Sequence, residues 1–148
     1  MRLTQHTDYA IRVLIQAALQ VDRRLTIEQV ASCNRISRHH VVKIVQELKN
    51  LGLLKTTRGS GGGIELQRAP NTIVLGELVR AMEPDLGLVE CFRPGNRCVI
   101  TPGCVLPAIL DEALRAFLEV LDRHTLADLL EREQRRILLR VLTGAGGP

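Results

Sequence analysis

Apolar residues recur at steps of three and four through the first fifty positions, the spacing that gathers side chains on one face of an α-helix. Ala10, Val13, Leu14, Ala17, Ala18 and Val21 form the first series, with Thr4 in the position of an N-cap, so a helix is predicted from about 5 to 21. Thr26-Ile27-Glu28-Gln29 has capping-box spacing and opens a short helix in which Ile27, Val30 and Ala31 share a face, ending near Cys33-Asn34. Ser37 is placed to cap a third helix, with Ile36 positioned to staple against Val41. Val41, Ile44, Val45 and Leu48 make its apolar stripe until Gly52 stops it. Two short helices joined by a three- to four-residue turn form a helix-turn-helix.

The pattern then changes. Leu53 to Thr57 and Ile64 to Gln67 read as two strands around Arg58-Gly59-Ser60-Gly61-Gly62-Gly63, a hairpin in the place of the wing of a winged helix. Leu75 to Met82 is a short helix broken by Pro84. Pro107 suits the first turn of a long helix to His124, in which Leu110, Leu114, Phe117 and Leu121, with Ala113 and Val120 alongside, form a seam for pairing with another helix. Thr125-Leu126-Ala127-Asp128 has the form of another cap and predicts a last amphipathic helix to about Leu142, followed by a frayed end from Gly144 to Pro148. The expected fold is mainly α. A winged helix-turn-helix DNA-binding domain with a small β-hairpin wing occupies 1–83, a cysteine-containing loop 84–106, and a dimerisation helix with a C-terminal helix 107–148.

Composition sharpens this picture. Of 148 residues 45% are hydrophobic, yet there are two Phe, one Tyr and no Trp, so the core must come from Leu, Val, Ile and Ala, which suits helices better than a β-sandwich. No apolar run approaches 18 residues, and MRLTQHTDYA has polar and acidic residues where an export signal would be apolar. A cytoplasmic protein with no membrane partner is therefore expected. Through Arg68 there are 11 basic and 5 acidic residues, and from Ala69 onward 9 basic and 11 acidic. The basic balance thus sits in the first half, as expected of a polyanion-binding head joined to a different module.

The face of the third helix opposite its stripe carries Arg38, His39, Lys43 and Gln46, with His40 near its start. The first turn of a recognition helix points at base edges while basic side chains bind phosphate. Arg38, His39 and His40, with the cap Ser37, are therefore base-edge or phosphate candidates, and Lys43 is a phosphate contact. A solvated helix face is the bland alternative, and the adjoining wing counts against it. In that wing Gly59 and its neighbours let backbone lie close to DNA, and Arg58 can enter the minor groove. The glycines lack the Lys-Ser/Thr and the following helix of a nucleotide-binding loop. No nucleophile–base pair or carboxylate pair has catalytic spacing, so an enzyme is not expected.

Cys91, Cys98 and Cys104 form a C-x6-C-x5-C loop with two proline-containing turns. In a reducing compartment such thiols are expected to be free, metal-bound or redox-active rather than disulfide-linked. Structural zinc usually has at least one cysteine pair two to four residues apart, and no such pair occurs here; wider spacing suits an iron–sulfur cluster, with zinc, thiol redox chemistry and inert thiols left open. A fourth ligand could be His124, a carboxylate or a residue of another subunit. Cys33 stands apart and reads as a buried small hydrophobe.

The opening MRLTQHTDYAIRVL, then ISRHHVVKIVQELKNLGLL, RGSGGGIEL, LGELVRAMEP, CVITPGC and HTLADLL together resemble the IscR/NsrR family of iron–sulfur winged-helix regulators, from Met1 to about Leu130. The last segments are more similar to the NsrR-like, nitric-oxide-sensing members. In IscR-like members a histidine three residues past the last cysteine is a cluster ligand, and here that position is Pro107. The resemblance implies a homodimeric transcriptional repressor that binds a palindromic promoter site and releases it on nitrosylation. It also implies a 4Fe-4S cluster held by Cys91, Cys98 and Cys104, with Asp8 contributed by the partner subunit. Taken alone, Asp8 is an ordinary first-turn helix acid. A 2Fe-2S redox or cluster-supply regulator is the alternative within the family; a small zinc or iron–sulfur structural or electron-transfer module is the alternative outside it.

Overall fold

The computed structural model describes residues 2–20, 25–57, 59 and 62–143. Helix α1 (Gln5–Leu19) begins on Thr4, whose hydroxyl oxygen accepts the Thr7 N–H at 3.2 Å, and buries Ala10, Val13, Leu14, Ala17 and Ala18. It stops two residues before the predicted end; Val21 lies outside the described residues. Helix α2 (Ile27–Asn34) starts with the predicted capping box. Gln29 N–H donates to the Thr26 hydroxyl at 3.1 Å, and Thr26 N–H donates to the Gln29 side chain at 2.9 Å. Arg35 then takes a left-handed conformation (φ 54°), which turns the chain sharply toward Ser37. Helix α3 (Arg38–Asn50) buries Val41, Ile44, Val45 and Leu48, the stripe read from the spacing, and Gly52 leaves it at φ 69°.

Strands β1 (Leu54–Thr57) and β2 (Gly63–Leu66) pair antiparallel, with Leu54 opposite Leu66, Lys55 opposite Glu65 and Thr56 opposite Ile64. Leu25 adds a third position to this ladder: Ile64 N–H donates to its carbonyl at 2.7 Å, and the Leu25 side chain is fully buried. Apolar spacing does not predict this bridge, because one bridging residue has no periodicity. Helix α4 (Leu75–Met82) follows, and just beyond it Glu83 accepts hydrogen bonds from the Thr4 backbone N–H (2.9 Å) and hydroxyl (3.1 Å). The start of α1 and the end of α4 are thereby tied together.

After a cysteine loop containing two 3-10 turns, α5 (Leu106–Asp122) runs with Pro107 in its first turn. Its last residue, Asp122, accepts two bonds from Arg80 of α4 at 2.6 and 2.7 Å. Gly76 makes room for this pair, since a Cβ there would lie 1.9 Å from an Asp122 carboxylate oxygen. The chain then returns to the head: Leu75 N–H donates to the His124 carbonyl, Leu126 N–H donates to the Ile73 carbonyl, both at 2.9 Å, and Leu126 is fully buried in the head's core.

The predicted cap at Thr125 is present, with Asp128 accepting the Thr125 N–H at 2.7 Å, but it heads a five-residue 3-10 turn (Leu126–Leu130) rather than a helix to Leu142. Glu131 is extended, and α6 (Arg132–Thr143) begins anew. The hydrogen bond to Ile73 and the burial of Leu126 set the direction of this turn, and neither is visible in local periodicity.

Leu126→Ala should cost about 2–5 kcal/mol, the usual range for deleting a buried leucine. Val99→Ala, at a site 91% exposed, should stay within about 0.5 kcal/mol; urea denaturation checks both. The Arg80 hydrogen bonds hold the Asp122 carboxyl below its usual range. Their stabilisation is therefore present at neutral pH and lost as pH falls through the lowered value. Asp122→Asn should make the fall of the urea midpoint between neutral and acid pH shallower than in the unmodified protein.

Candidate nucleic-acid interface and cysteine loop

Burial of the α3 stripe against the head leaves Ser37, Arg38, His39, His40, Lys43 and Gln46 exposed on the opposite side. Ser37 caps the helix by accepting the His40 N–H at 3.3 Å, and the His39 and His40 rings lie 6.4 Å apart. Arg38 is not free: its Nε donates to Glu28 of α2 at 2.9 Å, and that bond lowers the Glu28 pKa. Sequence reasoning missed Glu28, an ordinary first-turn acid whose pairing with Arg38 arises only once α2 and α3 pack together. Lys43 has no ion-pair partner among the described residues. In the wing, Gly59 is exposed at φ 98° and its carbonyl accepts the Gly62 N–H at 2.8 Å. Arg58 lies outside the described residues.

The cysteine loop is built from side-chain-to-backbone bonds. Asn96 accepts the Cys98 N–H at 2.8 Å and donates to the Thr101 hydroxyl at 2.8 Å, which in turn donates to the Cys98 carbonyl at 2.9 Å. Cys91 lies in the turn Glu90–Phe92, and Cys104 follows the turn Thr101–Gly103. All three thiols are free and half-buried. Among the described residues of this single chain, no three His, Cys, Asp or Glu side chains are close enough together to hold a metal ion. The donor chemistry nevertheless suits a thiophilic cluster: three unpaired, accessible thiols on one short loop.

Asp8 sits in the first turn of α1, paired with Arg12 at 2.7 Å. His124 is removed as a same-chain fourth ligand. It lies beyond the far end of α5, whose 17 residues separate it from Cys104 by about 25 Å of helix, and its Nδ1 faces Asp128 at 3.4 Å.

Two further expectations are corrected. Cys33 is exposed, and its thiol donates to the Leu142 carbonyl of α6 at 3.1 Å, because α2 packs inward through Val30 and leaves Cys33 off that buried position. On α5, the expected seam of Leu110, Leu114, Phe117 and Leu121 is half-buried, with α4 packed against this helix. The face still open lies one residue earlier: Leu106, Ile109, Ala113, Ala116 and Val120, again at alternating steps of three and four. Val105, 72% exposed, and Ile100, 63% exposed, extend the open apolar surface toward the cysteine loop. No helix among the described residues is long and apolar enough to cross a membrane.

Comparison with known proteins places this arrangement. HTH-type transcriptional regulator NsrR of Geobacillus kaustophilus is 50% identical over 147 residues, spanning 97% of this chain and all of that protein. The regulator of the same name from Bacillus subtilis is 46% identical over 136 residues, 90% of this chain and 93% of its own. Among solved structures, T. potens IscR superposes with a TM-score of 0.73 at 22% identity, covering 92% of this chain and 90% of that one. CymR, the global cysteine regulator of B. subtilis, gives 0.67 at 26% identity, covering 87% and 95%. These relatives are regulators rather than enzymes. The family model described as Rrf2, iron-dependent transcriptional regulator, matches residues 3–132, and the chain belongs to that family of transcriptional regulators.

Proposed function

We propose that this regulator is an iron–sulfur-dependent repressor that responds to nitric oxide and binds a palindromic promoter site as a homodimer. The observation that carries the reading is the free cysteine triad Cys91, Cys98 and Cys104 on one loop, between a helix-turn-helix with an open basic face and a helix with an open apolar seam. Similarity to regulators named NsrR supports the choice of signal.

The three thiolates would hold the cluster, with Asp8 of the partner subunit as the fourth, oxygen ligand. When bound, a cluster supplies irons that react with nitric oxide. A carboxylate is a weaker donor to iron than a thiolate, so Asp8 would be the most readily displaced of the four ligands. On the protein side, the first turn of α1 is already linked to the recognition helix: His6 Nε2 and the Glu47 carboxylate of α3 lie 2.6 Å apart. A shift of Asp8 therefore moves a turn bonded to the DNA-reading element. A hundredfold change in DNA affinity needs about 2.7 kcal/mol of coupling between the two sites. Pairing through Leu106, Ile109, Ala113, Ala116 and Val120 would set two recognition helices at the spacing of a palindrome. On that DNA, Ser37, Arg38, His39, His40, Lys43, Arg58 and Gly59 are the contacts.

Protein purified without oxygen should show a broad visible band and about four irons and four sulfides per chain, bleaching with nitric oxide as it leaves palindromic DNA. A ratio of two irons would make the cluster 2Fe-2S, and a colourless protein with one zinc would overturn the sensing mechanism. Asp8→Ala should keep the cysteines but alter cluster stability or the nitric oxide response; an unaltered response removes Asp8 from the ligand set. Lys43→Ala should lower DNA affinity and flatten the log–log salt slope, by about 0.9 for each phosphate no longer neutralised. Ile109→Glu should convert dimer to monomer in sedimentation and abolish the preference for two half-sites over one.

A further inference from the structure

The cleft between the helix-turn-helix and the wing holds an acid where a polyanion would approach. It has a volume of about 430 Å³ and is lined by Thr26, Ile27 and Glu28 from the start of α2, by Arg38 from the start of α3, and by Thr56 and Gly59 from the hairpin. Glu28 accepts the Arg38 Nε–H at 2.9 Å inside this lining. Both side chains are about two-thirds exposed, 66% and 68%, so the pair contributes little to folding. A carboxylate facing phosphate opposes binding, so its bond to the first residue of the recognition helix changes what that arginine can do on DNA.

We propose that Glu28 is a positioning residue that makes Arg38 a reader of guanine rather than a clamp on phosphate. The inference rests on the DNA-binding reading above and assigns a division of labour within it. An arginine has five N–H donors in a fixed fork. With Nε occupied by Glu28, the two terminal nitrogens remain, and their N–H groups match the O6 and N7 acceptors of guanine in the major groove. The carboxylate also cancels most of the guanidinium's net charge, and net charge is what releases counterions when phosphate is bound. Arg38 keeps its hydrogen-bonding geometry and loses its nonspecific pull. Lys43, about a turn and a half on and without an ion-pair partner among the described residues, is left as the phosphate contact. The hydrogen bond from Arg38 lowers the Glu28 pKa and so further favours its charged form. Glu28 also sits in the first turn of α2, where the helix dipole favours a negative charge.

The test uses full-length, cluster-loaded protein. Duplexes selected from a random-sequence pool by the unmodified protein should carry guanine at one position per half-site, and selection with Arg38→Ala should lose it. Glu28→Gln should relax that guanine preference by about fivefold or more, within the range of one bidentate base contact. The same substitution should strengthen binding to poly(dI-dC) and steepen its salt dependence. In the Arg38→Ala background, Glu28→Gln should leave base preference at that position unchanged. An intact guanine preference in Glu28→Gln, or guanine still selected by Arg38→Ala, overturns the proposal while leaving the DNA-binding reading in place. If the unmodified protein enriches no sequence at all, that reading falls and this one with it.

Discussion

The packing of Val41, Ile44, Val45 and Leu48 against the head is the constraint on which the rest of the molecule depends. A helix can bury only one stripe, so committing these four residues inward leaves the opposite side, with Arg38, His39, Lys43 and Gln46, to face outward. The caps at Ser37 and the left-handed Arg35 then fix where that outward face begins. The candidate DNA contacts are therefore a consequence of core packing. Moving the stripe by one residue would turn basic groups inward and leucine outward, at the cost of burying unpaired charge.

A second dependence runs from the end of the chain back to its start. Leu126 is buried in the same core as α1 and α3, the Ile73 carbonyl holds its backbone, and Arg80 grips Asp122 beside Gly76. These contacts make α5 a rigid extension of the head rather than a tethered arm. In the proposed dimer such a rigid extension would hold the two heads at the spacing of two half-sites. The same contacts also keep the open apolar face of α5 distinct from the side that packs on α4.

The cysteine loop differs from both in having almost no buried apolar anchor. Asn96, Thr101 and short turns shape it, and Val99 at 91% exposure is almost wholly open to solvent. Such a segment has low local stability and is suited to rearrange around a bound group. The hydrogen bond between His6 and Glu47, by contrast, joins the first turn of α1 directly to the recognition helix. Stable core, rigid arm and weakly held loop thus occupy separate parts of a small protein.

Much of this was legible in the residues. The first three helices, both strands and α4 follow from apolar spacing, caps and glycines, all of which act within a few residues of one another. The free thiols and the basic face of α3 follow from residue type and position. What the residues did not show depends on contacts between distant segments. The bridge at Leu25, the break after Leu130 and the exposed thiol of Cys33 are set by Ile64, Ile73 and the inward packing of α2 through Val30. On α5 the spacing alone fits two adjacent apolar seams, and only the packing of the rest of the chain decides which one is left more open. Glu28 beside Arg38 is the same case at the candidate site: an ordinary first-turn acid in the sequence becomes a partner of the recognition helix once the turn brings α2 and α3 together. Sequence determined the elements because capping and periodicity are local, and tertiary structure chose the faces because a face is defined by what packs against it.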